Sequence, residues 1–204
     1  MRARRLAMLL SGLTPNPNES VDLEQYATEG DLAARWLADI AAFGDLYKGC
    51  KVVDLGAGNG VLGLGALAMG AGRAILVEAD EAACKVAKSN AESMDSTDLV
   101  EVIRTTLGSD PVDLSSVDVV ISNPPWGRQT PKADRPFLEA ILSIGVPAHL
   151  MHSAEATHIR PLFEVAGWSA ERYGEADFAL PAAYSHHSRR RGRTRAAFWR
   201  LTPP

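Results

Sequence analysis

Cysteine is nearly absent from this chain: Cys50 and Cys84 are the only two in 204 residues. Two thiols are too few for a disulfide framework, so a reducing compartment, the cytoplasm, is the simpler expectation. Neither sits in a Cys-x-x-Cys pair, and no His/Cys cluster has zinc spacing, so no metal site is expected. Cys84 falls in a predicted helix and is expected to be packed. Long apolar runs are missing as well. No segment reaches the roughly 18–20 apolar residues that span a bilayer, so no membrane contact is expected. Met1-Arg2-Ala3-Arg4-Arg5 and the apolar stretch 6–13 have the outline of a signal peptide. A small-x-small cleavage site is lacking and Gly12 interrupts the run, so the reading is a basic helical start or a loose tail. There is no internal repeat and no low-complexity tract. Positive charge is not in surplus: the formal net charge of −4 argues against a general nucleic-acid coat.

What is present suits one globular domain. Hydrophobic residues make up 46% and charged residues 23%, an ordinary balance for a chain with one well-filled core. Residues 1–22 read as an N-terminal extension and 23–204 as the domain. The segment 14–18, with Pro15 and Pro17, is a connecting loop. Leu32, Ala33, Trp36, Leu37 and Ile40 recur at helical spacing, which predicts a helix over 29–43 with Trp36 in the core. Short buried strands are predicted at 50–55, 74–77, 99–103, 117–122 and 146–152. Helices are predicted at 61–69, 81–94 with Asp80 as N-cap, 136–144, and 154–166 with Pro161 as an interruption. Segments 168–178 and 195–201 suit a closing antiparallel pair. This alternation predicts an α/β fold with a mostly parallel seven-stranded sheet and helices on both faces. Ligands in such folds bind beyond the carboxyl ends of the strands.

The uncommon residues fall at those ends. Asp54-Leu55-Gly56-Ala57-Gly58-Asn59-Gly60 is a glycine turn that lets backbone approach a ligand closely. Glu78 closes the second strand, where a carboxylate can accept hydrogen bonds from both hydroxyls of a ribose. An adenosine-containing cofactor follows. A dinucleotide turn needs Gly-x-Gly-x-x-Gly, and here Val61 takes the place of the last glycine. S-adenosylmethionine has no phosphate to cradle, and Asp54 would hold its cationic amino group where it would repel a phosphate.

Asn123-Pro124-Pro125-Trp126 follows the fourth strand. Two prolines force a rigid extended exit and hold Asn123 at the strand tip. The Asn123 side-chain carbonyl and the Pro124 backbone carbonyl can accept both protons of an exocyclic amine. That favours a pyramidal nitrogen and spreads its developing charge in the transition state. Trp126 offers a flat face on which a base can stack. Further on, Arg189, Arg190, Arg191, Arg193 and Arg195 lie within seven positions, beside His186 and His187. Arginine holds phosphate bidentately, so this segment is the candidate RNA contact, with Lys132 beside the catalytic loop. His149, His152 and His158 are given no role.

Together these motifs resemble the class I amino-methyltransferases, and more specifically the methyltransferase-like protein 5 family of ribosomal RNA adenine-N6 methyltransferases. Leu23-Glu24-Gln25-Tyr26-Ala27-Thr28 matches that family's opening motif. Leu180-Pro181-Ala182-Ala183-Tyr184-Ser185-His186-His187 matches its C-terminal one. The resemblance implies a Rossmann-like methyltransferase fold and N6 methylation of adenine in RNA, small-subunit ribosomal RNA above all. It implies that Gln25, Tyr26 and Thr28 close over S-adenosylmethionine. Gly56, Asn59 and Val61 would contact its methionine part, with Gly58 in the same turn, and Glu78 its ribose. Thr106 stands where the family has an aspartate facing the cofactor's adenine, with Asp110 as a substitute. Trp126 replaces the more usual phenylalanine. His187, Arg189, Arg190 and Arg191 would hold RNA. A small zinc-containing activator of the Trm112 type is an implied partner. Rival readings are a protein-glutamine methyltransferase, a DNA adenine methyltransferase and a non-catalytic RNA-associated scaffold.

Overall fold

The computed structural model describes residues 1–16, 28–109, 112–127, 130–179 and 193–204. Seven strands form one sheet: β1 (Lys51–Leu55), β2 (Arg73–Glu78), β3 (Val100–Arg104), β4 (Val119–Ser122), β5 (Ala148–Ser153), β6 (Ser169–Ala179) and β7 (Arg193–Thr202). Their spatial order is β3-β2-β1-β4-β5-β7-β6. β7 runs antiparallel to both β5 and β6, while β1 to β5 are mutually parallel. The sheet is therefore mixed. Six α-helices accompany it among the described residues: α1 (Ala3–Ser11), α2 (Gly30–Ala42), α3 (Val61–Met69), α4 (Glu81–Ser93), α5 (Arg135–Ile144) and α6 (Ile159–Val165).

Alternation along the strands divides the core into two. Val52, Leu76, Val119 and Ile121 face a cluster that includes residues of α1, α2, α3 and α4. Val53, Leu55, Val77 and Val120 face the other, with α5 and α6. A period of two sends successive side chains to opposite faces, so strands apolar throughout must be covered on both. The layers expected from the sequence follow from that.

The start of the chain is packed helix. α1 buries Leu6, Ala7 and Leu10 in the same cluster as α2 and α3. A buried leucine gains roughly 1.5–3 kcal/mol over an exposed one, which offsets the cost of ordering a helix too short to persist alone in water. α3 is apolar all round because it lies between the sheet and α1 and α2. A Cβ at Gly63 would come within 2.2 Å of Leu76 Cδ2 on β2, and one at Gly65 within 2.4 Å of Leu37 Cδ1 on α2. Gly63 supplies the close helix-to-strand approach that the Gly-x-Gly-x-x-Gly pattern gives through its last glycine, and Gly65 a close approach between helices. They lie just downstream of the turn, outside the motif on which the sequence expectation was built.

The largest difference in a boundary from the sequence expectation is in the last helix. The last helix begins at Ile159 rather than near Ala154, which places Pro161 in its first turn. The first four N–H groups of a helix have no partner within it, so the missing proline N–H costs nothing there. Asp80 caps α4 as expected, its Oδ1 accepting the Ala82 N–H at 3.0 Å. Trp36 is fully buried, and both cysteines are buried free thiols. No described helix is long and apolar enough to cross a membrane.

Candidate active site

β1 and β4 are adjacent, and the connections from them diverge to opposite sides of the sheet. That is the switch point at which α/β folds open a crevice. Ser122, the last residue of β4 and fully buried, donates its hydroxyl to the Leu55 carbonyl at 2.8 Å. This bond ties the two strand ends together. It fixes the Asn-Pro-Pro-Trp loop against the glycine turn.

The turn itself is built on left-handed backbone. Gly56, Gly58 and Gly60 have φ of 74°, 54° and 85°. Among the described residues the space in front of Gly58 is open: a Cβ there would meet none of them within 4 Å. A Cβ at Gly56 would lie 2.9 Å from Phe137 Cε1, so α5 crosses closely over the start of the turn. Two carboxylates hold the turn from beneath. Asp54 is 1% exposed, and its Oδ2 accepts the Gly63 N–H in the first turn of α3 at 2.9 Å. Its Oδ1 is buried without a hydrogen-bond partner among the described residues. Burial raises its pKa to about 7, against the Gly63 hydrogen bond and with the help of the nearby Glu78 charge. Glu78 Oε2 accepts the Gly58 N–H at 2.8 Å, and its Oε1 accepts those of Ala79 and Asp80 at 2.8 and 2.9 Å. Three of about four acceptor positions of the carboxylate are thus in use. Among the described residues this leaves one acceptor position, on Oε2, for a further donor.

Asn59 and Val61 are tied to each other and to the N-terminal segment. Asn59 Oδ1 accepts the Val61 N–H at 3.3 Å, and its Nδ2 donates to the Thr14 carbonyl at 3.0 Å. The Val61 side chain is in the core. A residue that sequence reasoning missed completes this knot. Asn90 of α4, 2% exposed, accepts the Thr14 N–H and donates to the carbonyls of Thr14 and Asn59. Its one legible signal was a polar residue on the apolar face of a helix.

At the tip of β4, Asn123 is held at both ends of its amide. Its Nδ2 donates to Thr28 Oγ1 at 3.1 Å, and its Oδ1 accepts the Trp126 indole N–H at 3.2 Å. Indole can only donate, so the carbonyl oxygen faces Trp126 and the amide nitrogen faces Thr28. Thr28 is buried. One acceptor position remains on Asn123 Oδ1. Trp126 does not present an open face: it is 6% exposed and stacked on His152, with ring centroids 6.1 Å apart at 23°. The reason is local. The Nε1–H of a buried indole needs a partner, and the Asn123 carbonyl is within reach.

Behind the loop lies a cluster to which the sequence assigned no role. Asp134, at the N-terminus of α5, accepts His152 Nε2 at 3.1 Å and His158 Nε2 at 2.5 Å on one carboxylate oxygen. Burial would raise the Asp134 pKa, but these two hydrogen bonds outweigh it and hold the carboxyl below its usual range. The usable signal was the position of His152 at the carboxyl end of a strand. His149, near the start of β5, belongs to a separate network with Asp45, Tyr173 and Arg200. Thr106 is exposed on the turn after β3, where its carbonyl accepts the Ser109 N–H and hydroxyl. Lys132 is exposed, with φ of 65°, two residues before Asp134. Arg195 lies on β7 and is ion-paired with Glu175. Gln25, Tyr26, Asp110, His187, Arg189, Arg190 and Arg191 lie outside the described residues.

Relatives share this architecture. The family model described as Conserved hypothetical protein 95 matches residues 37–180. Protein MJ0284 of Methanocaldococcus jannaschii is 36% identical, over 93% of this chain and 89% of its own. The rRNA N(6)-adenosine-methyltransferase METTL5 of Danio rerio is 28% identical over 100% of both chains. Among solved structures, PH1948 of Pyrococcus horikoshii, described as a candidate RNA methyltransferase, superposes with a TM-score of 0.86. It is 32% identical, and the match covers 100% of this chain and 98% of that one. The chain belongs to the Conserved hypothetical protein 95 family and has full-length homologues among the METTL5 methyltransferases.

Proposed function

We propose that this protein is an S-adenosylmethionine-dependent methyltransferase acting on the N6 amine of an adenine in RNA, with small-subunit ribosomal RNA as the substrate. One observation carries the chemistry: the Asn123 amide is fixed at a strand tip beside the glycine turn, with an acceptor position of Oδ1 still open. The substrate class rests on the full-length likeness to METTL5.

The residues at hand fit the cofactor. The orphaned Asp54 Oδ1 suits a cationic amino group, the open face of Gly58 suits close approach, and Glu78 Oε2 suits one ribose hydroxyl. The two side chains that define this set are acids, which disfavours a phosphate-bearing cofactor in the same place. S-adenosylmethionine supplies a methyl group activated on a sulfonium. Asn123 Oδ1 and the Pro124 carbonyl accept the two protons of the target amine and so direct its lone pair. The adenine lone pair is delocalised into the ring, and two acceptors favour the pyramidal nitrogen that can react. The proton released afterwards needs no dedicated base, because the alkylated amine is strongly acidic.

Gln25, Tyr26 and Thr28 are read as the flap over the cofactor, and Thr106 as its adenine contact. His187, Arg189, Arg190, Arg191 and Lys132 are read as the RNA backbone contact. A small zinc-containing activator of the Trm112 type is part of this reading and rests on the family resemblance alone. The test is incubation of purified protein with small ribosomal subunits and labelled S-adenosylmethionine, followed by nucleoside analysis. N6-methyladenosine is the expected product. Label found only in protein would instead favour glutamine methylation.

A further inference from the structure

Asp134, His152 and His158 form a group of titratable side chains that the proposed chemistry does not use. Their ligand atoms lie within 4.8 Å of one another, the spacing of a metal site. The hydrogen bonding argues otherwise. His152 Nδ1 accepts the Ser153 N–H at 2.9 Å, so in the neutral ring the proton is on Nε2. That nitrogen has no lone pair for a metal, and it donates to Asp134 Oδ2. The three groups satisfy one another.

What the cluster does is fix a ring. His152 is 1% exposed and is bonded at both nitrogens, so it cannot rotate about its own axis without losing two hydrogen bonds. Trp126 lies on that ring. The plane of Trp126 decides where its indole N–H points, and it points at Asn123 Oδ1. Asp134 also begins α5. Trp126 and Asp134 are therefore both held against the same imidazole.

We propose that Asp134 and His152 are positioning residues for methyl transfer: they fix the plane of Trp126, which in turn orients the Asn123 carbonyl. This rests on the reading of Asn123 as the acceptor for the target amine. It requires Trp at position 126, because phenylalanine has no N–H with which to transmit the constraint.

The experiment is a double-mutant cycle on the full chain, with small ribosomal subunits as substrate. Turnover is normalised to S-adenosylmethionine-binding sites, so that loss of folded protein does not count. Asp134→Ala is expected to lower kcat about tenfold with cofactor affinity unchanged. Asp134→Asn, which keeps an acceptor for both histidines, is expected to restore most of it. In a Trp126→Phe background the same Asp134→Ala change is expected to cost less than about twofold, since the link is already cut. Equal losses in both backgrounds would overturn the proposal. His152→Phe, which keeps a flat ring but makes neither hydrogen bond, gives a second route if Asp134→Ala fails to fold. A readout independent of turnover is the Trp126 indole N–H resonance, assigned by its loss in Trp126→Phe. It is expected to shift and to exchange faster with water in His152→Phe. An unmoved resonance would sink the positioning role. A wild-type protein without turnover would instead count against the proposed function, with the resonance still deciding whether the clamp exists.

Discussion

Trp126 donates its indole N–H to Asn123 Oδ1 at 3.2 Å, and so fixes which way round the amide sits. An asparagine amide has two ends of similar shape, and only its partners decide their direction. Here a donor-only partner stands on one side and the Thr28 hydroxyl on the other. The remaining acceptor position of Oδ1 is the group on which the proposed chemistry depends. Asn123→Ala should therefore lower kcat by about 100- to 1,000-fold, the usual loss when a transition-state hydrogen bond is removed. Cofactor binding by calorimetry should persist. Undiminished turnover would refute the assignment.

Thr28 gives a gentler test of the same arrangement. Thr28→Val keeps the shape but removes the acceptor for Asn123 Nδ2. A neutral hydrogen bond is worth about 0.5–1.5 kcal/mol, or roughly two- to thirteenfold in kcat. Thr28→Ser keeps the hydroxyl and should retain most of the activity. If the valine and serine variants turn over alike, the hydroxyl is not what orients the amide.

Asp54 makes stability depend on pH. Its pKa in the folded protein is about 7, above the ordinary 3.8. Between those values the folded protein holds a proton that the unfolded chain has released. Stability should therefore fall as pH rises from about 4 to about 7, and this contribution is flat on either side. Asp54→Asn should flatten that slope in urea titrations. Cofactor binding should go the opposite way: a cationic amino group prefers the ionised carboxylate, so affinity should rise with pH through about 7. The same affinity profile in Asp54→Asn would remove Asp54 from the binding site.

Gly63 is a packing requirement. A Cβ there would lie 2.2 Å from Leu76 Cδ2, inside the core. Gly63→Val should destabilise the protein by about 1–3 kcal/mol through overpacking. The gain in helix propensity, under about 1 kcal/mol, only partly offsets this. The melting temperature should drop by several degrees, and an unchanged value would show that α3 can shift from β2 at no cost.

The arginines near the C-terminus are assigned from the sequence, and salt dependence tests them. Replacing Arg189, Arg190 and Arg191 with alanine removes three cations that can pair with phosphate. The slope of log affinity for RNA against log salt should become shallower by roughly 0.7 for each phosphate of single-stranded RNA left without its arginine. An unchanged slope would make this segment a solvated basic stretch.

The sequence by itself determined the layers and the chemistry-bearing ends. Apolar strands of four to six residues must be covered on both faces; Asp54 lies one residue before the end of one, Glu78 closes another and Asn123 follows a third. Glycines at 56, 58 and 60 announce a turn that only positive φ can make. These are local signals, set by a period of two or by one residue's allowed backbone. Side-chain partnerships lay beyond that reach. Thr28 and Asn123 are 95 residues apart, and Thr14 and Asn90 are 76 apart. They meet only because β1 is inserted between β2 and β4, and α4 is laid back over the sheet. Only the tertiary structure put β7 between β5 and β6, turned Trp126 onto His152, and gathered Asp134 and His158 behind it. A motif states which groups are available, but the direction each one faces is set by neighbours that strand order brings from distant parts of the chain.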